Sequence, residues 1–169
     1  MLKTEELKLV SEWDKTFPQS EKVDHKKVTF VNRYGITLAA DLYKPKNASG
    51  KYPAIAVSGP FGAVKEQCSG LYAQTMAERG YLTIAFDPSF TGESGGYPRF
   101  MASPDINTED FMAAVDFLSV REDVDPDKIG IIGIQASFMI TSAFIILTVI
   151  FYEERCIFRN RKGNTTTAS

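Results

Sequence analysis

The spacing of apolar residues along the 169-residue chain changes several times, and each change predicts an element. Leu2, Leu9, Val10, Trp13 and Phe17 recur at roughly helical intervals, which predicts an N-terminal helix. Val28 to Arg33 and Ile36 to Tyr43 are two β segments around Tyr34-Gly35, closed by Lys44-Pro45-Lys46-Asn47, and predict a hairpin. Pro53 to Val57 is short, apolar and bounded by Gly59-Pro60, as a strand buried on both faces should be. Leu71, Tyr72, Met76 and Ala77 then predict a helix stopped by Gly80. A second buried strand, Tyr81 to Phe86, leads into the glycine-rich loop Asp87 to Gly96. Asn107-Thr-Glu-Asp110 is expected to cap a helix whose Phe111, Ala114, Val115 and Leu118 fall at i, i+3, i+4 and i+7. Asp125-Pro126-Asp127 turns into a third apolar strand, Ile129 to Ile134. Strand, helix, strand, helix, strand at these lengths predicts an α/β fold: an antiparallel hairpin followed by right-handed, parallel βαβ units covered on both faces.

Charge divides the chain. Residues 1–128 hold 15 basic and 19 acidic side chains, whereas residues 129–152 hold none. The expected organisation is therefore one folded unit over 1–134 and a different apolar segment and polar tail over 135–169. The 24 uncharged positions 129–152 meet the length of a membrane-spanning helix. However, Ile129 to Ile134 is already accounted for as a strand, which leaves Phe138 to Tyr152 short for a span. A net charge of −2 and a pI near 5.5 give no field that attracts nucleic acid. Cys68, Cys156 and the single histidine, His25, have no metal-ligand spacing, so neither metal nor cofactor is expected. The N-terminal residues alternate charge with apolar positions and predict a cytoplasmic chain, with membrane association through 138–152 as the alternative.

The loops carry a resemblance. Ser58-Gly-Pro-Phe-Gly62 after the first buried strand, Asp87-Pro-Ser-Phe-Thr-Gly-Glu-Ser-Gly-Gly96 after the second, and Val124-Asp-Pro-Asp-Lys-Ile-Gly-Ile-Ile-Gly133 resemble the N-terminal half of an α/β-hydrolase. Within that superfamily the chain is similar to bacterial dienelactone-hydrolase-like and Xaa-Pro-peptidase-like hydrolases over about residues 24–134. The resemblance implies an incomplete three-layer α/β-hydrolase sandwich and hydrolysis of ester, lactone or peptide-type acyl bonds of a small-molecule substrate. It also implies an oxyanion loop in which Phe61 or Gly62 donates a backbone N–H to a developing oxyanion.

The same resemblance shows where the chemistry is missing. The nucleophile elbow belongs after Ile129 to Ile134, yet Gln135 holds the nucleophile's place in Gly133-Ile134-Gln135-Ala136-Ser137-Phe138. An amide is no acyl-transfer nucleophile, and Phe138 and Met139 would crowd a shifted Ser137. Gly92-Glu-Ser-Gly-Gly96 matches the G-x-S-x-G pattern, but it does not join a strand directly to a helix, so Ser94 is rejected as nucleophile. Glu93 and Ser94 are expected on a flexible surface loop, His25 on a surface or sheet edge, and Cys68 in an apolar interior. No catalytic residue is assigned. The abrupt change at residue 135 suggests a truncated gene whose last codons are read out of frame. The rival expectation is a noncatalytic membrane-attached or interaction protein using 129–152 as an apolar helix, and an open sheet edge would favour self-association.

Overall fold

Tyr34 and Ile36 owe their turn to Asn32, whose side-chain oxygen accepts both of their backbone N–H groups at 3.0 Å while Gly35 takes a positive φ. That turn joins β1 (Val23–Val31) to β2 (Thr37–Pro45) as the expected hairpin. A computed structural model describes residues 5–46 and 50–134. Beyond the hairpin it places β3 (Tyr52–Ser58), α1 (Cys68–Glu78), β4 (Leu82–Phe86), α2 (Pro104–Ser119) and β5 (Val124–Gly133). The strands form one sheet in the order β1-β2-β4-β3-β5. β4, β3 and β5 are mutually parallel neighbours, and β2 joins β4 antiparallel.

Chain order and space order diverge at β3. The first crossover runs from β3 to β4 on one side, and the second returns from β4 past β3 to β5 on the other. Right-handed crossovers in opposite directions put their helices on opposite faces. α2 accordingly packs Phe111, Ala114 and Leu118 on the face of Leu38, Ile84 and Phe86, whereas α1 packs Ala73 and Ala77 on the face of Tyr43, Ile55 and Val57. The result is the three-layer α/β arrangement expected from the sequence.

Three local expectations are corrected. Residues 5–20 form no helix, because their backbone donors are engaged far along the chain: Val10 N–H donates to Glu93 Oε1 (2.7 Å) and Thr16 N–H to the Glu66 carbonyl (3.0 Å). Phe17 is buried against Gly70 while Val10 stays exposed, so the apolar positions do not share one face. In α1 the buried side is built from Ser69, Gly70, Ala73, Gln74 and Ala77, and Leu71 and Tyr72 face outward. A side chain at Gly70 would meet the Lys65 carbonyl at 2.3 Å, so close approach selects small residues there. Gly80 does end α1, as expected, with its own N–H on Ala77 O and that of Tyr81 on Met76 O. Finally, α2 begins at Pro104, upstream of the expected cap, because Asn107 and Asp110 are turned inward to a buried network.

Candidate active-site loops

Strand order reverses at β3, and in open α/β sheets ligands bind beyond the carboxyl ends of the strands at such a reversal. The Ile134 N–H donates to the Ser58 carbonyl (3.2 Å), which sets the end of β5 directly beside the start of the Ser58-Gly62 loop. That loop turns through Ala63 N–H to Pro60 O (3.0 Å), Gly62 adopts φ +82, and Phe61 is 42% exposed. Among the described residues, the Phe61 and Gly62 amides donate to no acceptor within the protein. Gln135 and Ser137, at and near the elbow, lie outside the described residues, as does 138–152.

Asp87 holds the loops after β3 and β4 in register. Its carboxylate accepts the Lys65 backbone N–H (2.8 Å) and Lys65 Nζ (2.8 Å), and also the Glu93 N–H (3.0 Å), so the end of the first loop and the middle of the glycine-rich loop share one anchor. A Cβ at Gly92 would lie 2.3 Å from that carboxylate, which is why the loop needs glycine there. Lys65 Nζ, fully enclosed, also reaches Glu66 and Glu93. Burial disfavours its charge, but Asp87 and the other carboxylates outweigh burial and raise its pKa, so it remains an ammonium. Lys27 Nζ lies among Asp14 (3.2 Å), Glu66 (3.5 Å) and Glu93 (2.6 Å), three carboxylates that converge within 4.8 Å of one another. Burial would raise Glu93, yet the two ammonium groups hold it below the usual carboxylate range.

This network corrects the expectation of a flexible surface loop. Ser94 is 1% exposed, and its hydroxyl accepts from Ala39 N–H (2.9 Å) and donates to the Asp87 carbonyl (2.7 Å). Its hydrogen-bonding capacity is committed to the fold. Ser89 is tied in turn to Asp110, whose carboxylate also accepts from Asn32 and Asn107. His25 does lie on an edge strand, but it is no open surface residue: its Nε2 is 2.7 Å from Asp41 Oδ1 and its ring sits against Trp13 and Tyr43. Four inter-strand spacings of ~4.8 Å, roughly 19 Å, separate its strand β1 from β5. Cys68 is a free, half-buried thiol that opens α1, more exposed than an apolar interior would make it.

Sequence reasoning missed Lys65, Asp87 and Asp110. A lysine in a loop and an aspartate after a strand carry no pattern, since what joins them is the approach of segments 22 positions apart. Among the described residues no helix is long and apolar enough to cross a membrane.

Comparison with known proteins agrees with the fold. A family model described as X-Pro dipeptidyl-peptidase (S15 family) matches residues 34–144. The uncharacterized protein PA2218 of Pseudomonas aeruginosa is 72% identical over 130 residues, covering 76% of this chain and 35% of its own. Its crystal structure superposes with a TM-score of 0.75 at 70% identity, over 77% of this chain and 41% of that one. A thiohydrolase, aneE, of Aspergillus aculeatus is 34% identical over 118 residues, 70% of this chain and 36% of its own. The α/β hydrolase GrgF of Penicillium sp. sh18 gives a TM-score of 0.61 at 26% identity, over 65% of this chain and 37% of that one. The chain thus spans about a third of the length of the curated relatives it matches.

Proposed function

The chain belongs to the X-Pro dipeptidyl-peptidase (S15) family of hydrolases, and from that premise we propose that these 169 residues carry the acyl-binding part of the family's machinery, with Gln135 at the nucleophile's place. The observation that carries this reading is the hydrogen bond from Ile134 N–H to Ser58 O. It sets the start of the loop that carries the uncommitted Phe61 and Gly62 amides beside the strand end that leads to position 135. A carbonyl bound beside this loop would accept from Phe61 N–H or Gly62 N–H as its oxygen gains charge, and one such donor is worth about 10²–10³ in rate where the rest of the machinery is present. Here Gln135 occupies the nucleophile's position and Ser94 is locked in the fold. The 169 residues hold no histidine besides the distant His25.

The substrate class is a small ester, lactone, thioester or peptide-type acyl compound. Support for the thioester comes from the thiohydrolase relative. The free thiol of Cys68 supports a reducing, cytoplasmic compartment.

The test is hydrolysis of an activated ester with a serine-directed phosphonate as probe. The expected result is no turnover above the uncatalysed rate and no stoichiometric label. Labelling of Ser94 or Ser137 with matching turnover would overturn the proposal.

A further inference from the structure

Residues 5–20 meet the two loops and α1 in turn. Glu5 Oε2 accepts the Gly96 N–H (3.1 Å), Val10 N–H donates to Glu93, Thr16 N–H donates to the Glu66 carbonyl, and the Pro18 carbonyl accepts from Gln74 Nε2 (3.0 Å). The segment is therefore a strap that runs from the glycine-rich loop, past the loop after β3, to α1.

Two of its charges belong to a longer row. Lys15 Nζ bridges Asp41 of β2 (3.1 Å) and Asp14 of the strap (2.5 Å). Lys27 Nζ joins Asp14 to Glu66 and Glu93, and Lys65 Nζ joins those two carboxylates to Asp87. Acid and base thus alternate without a break from β2, through the strap, to both loops. The side chains of Lys15 and Lys65 are fully enclosed and that of Lys27 is 9% exposed. An enclosed charge that loses a partner is strongly destabilised, whereas an exposed one loses little. Burial opposes the charge of Lys27, yet Glu93 and Asp14 outweigh it and raise its pKa, so this ammonium draws on a loop and on the strap at once. Lifting the strap would take Asp14 away from Lys27 and admit water to the pairs that Glu93 makes with Lys27 and Lys65. The loop anchor on Asp87 would then weaken. Lys65 closes the turn that displays Phe61 and Gly62, in which Ala63 N–H donates to the Pro60 carbonyl.

We propose that the strap and the loop carrying Phe61 and Gly62 open and close as one unit, coupled through this row of shared charges, with Asp14 and Lys27 as positioning residues for that loop. The positioning role rests on the acyl-binding reading of Phe61 and Gly62; the coupling does not.

The coupling is read from hydrogen exchange of single amides in the full chain, followed by NMR, while the ester and phosphonate assay decides acyl chemistry separately. Asp14→Asn keeps the shape of the side chain and removes the charge that Lys15 and Lys27 share. The amides of Thr16 in the strap and of Ala63, Lys65 and Glu93 in the loops should all exchange about tenfold faster, while Leu42 and Ile84 in the middle of the sheet keep the parent's rates. Glu66→Gln, made from the loop side, should in turn speed exchange at Val10, whose own acceptor is Glu93, because coupling is reciprocal. Gln74→Leu is the control, since it frees the strap at Pro18 and Ser20 and leaves every charge of the row in place. It should speed exchange at Ser20 and leave Ala63 and Lys65 as in the parent. Faster exchange confined to Thr16 in Asp14→Asn, or an unchanged Val10 in Glu66→Gln, would show that strap and loop move independently and would overturn the proposal. So would equal acceleration at Leu42 and Ile84, which would mean that the whole sheet opens, or an Ala63 response to Gln74→Leu as large as that to Asp14→Asn.

Discussion

Gly92 and Gly62 both adopt positive φ in the loops after β4 and β3, yet their neighbourhoods differ. At Gly62 nothing lies within 4 Å of a Cβ, so Gly62→Ala should cost only the left-handed backbone penalty, about 1–2 kcal/mol. At Gly92 the same methyl meets the buried Asp87 carboxylate that anchors Lys65, and Gly92→Ala should cost about 1–2 kcal/mol more than Gly62→Ala. Urea midpoints of the two variants, measured side by side, check the order. An equal loss would mean that Asp87 shifts freely and anchors nothing. The glycine content of the loop was legible in the sequence; which glycine is indispensable was not, because a carboxylate beneath the loop decides it.

The strap of residues 5–20 shows how an element's fate passes from local to distant contacts. Its apolar spacing suits a helix, but Val10 and Thr16 donate to Glu93 and Glu66, and Asp14 pairs with Lys15 and Lys27. Burial opposes the charges of Asp14 and Glu93, and the lysines outweigh it, so both carboxyls titrate below their ordinary values. A carboxylate whose folded pKa is depressed contributes stability above its unfolded pKa and loses it as pH falls through the folded value. Asp110 has the opposite sign, since burial raises its pKa. The parent's advantage over Glu93→Gln isolates the first effect. It should be full at neutral pH, decline from about pH 4 downward and vanish in stronger acid, read from denaturant midpoints and from exchange of the Thr16 amide. An advantage independent of pH would mean that packing rather than charge holds the strap.

At the scale of the molecule, the separation of His25 from β5 sets a limit that no point change at the elbow can repair. Combining Gln135→Ser with Ser137→Gly rebuilds the G-x-S-x-G pattern after β5, yet a serine without a base is a weak nucleophile. The double variant is therefore expected to turn over an activated ester no faster than a control carrying Gln135→Ala with Ser137→Gly. Multiple turnover that depends on the new serine would show that a base lies within reach, and the reading of a machinery without its histidine would fall.

The sequence by itself determined the alternation of strands and helices, the hairpin about Gly35, the end of α1 at Gly80, and the loops after β3 and β4. These depend on residues close together in the chain, where apolar period, turn chemistry and helix stops act locally. Only the tertiary structure decided that residues 5–20 are a strap, that α1 packs by its small residues, that Asn107 and Asp110 face inward, and that Lys65, Asp87 and Glu93 lock two loops together. Those outcomes are settled by burial and by charge pairing between segments distant in sequence. A buried charge is stable only beside its partner, and which residue becomes the partner follows from the order of strands in the sheet.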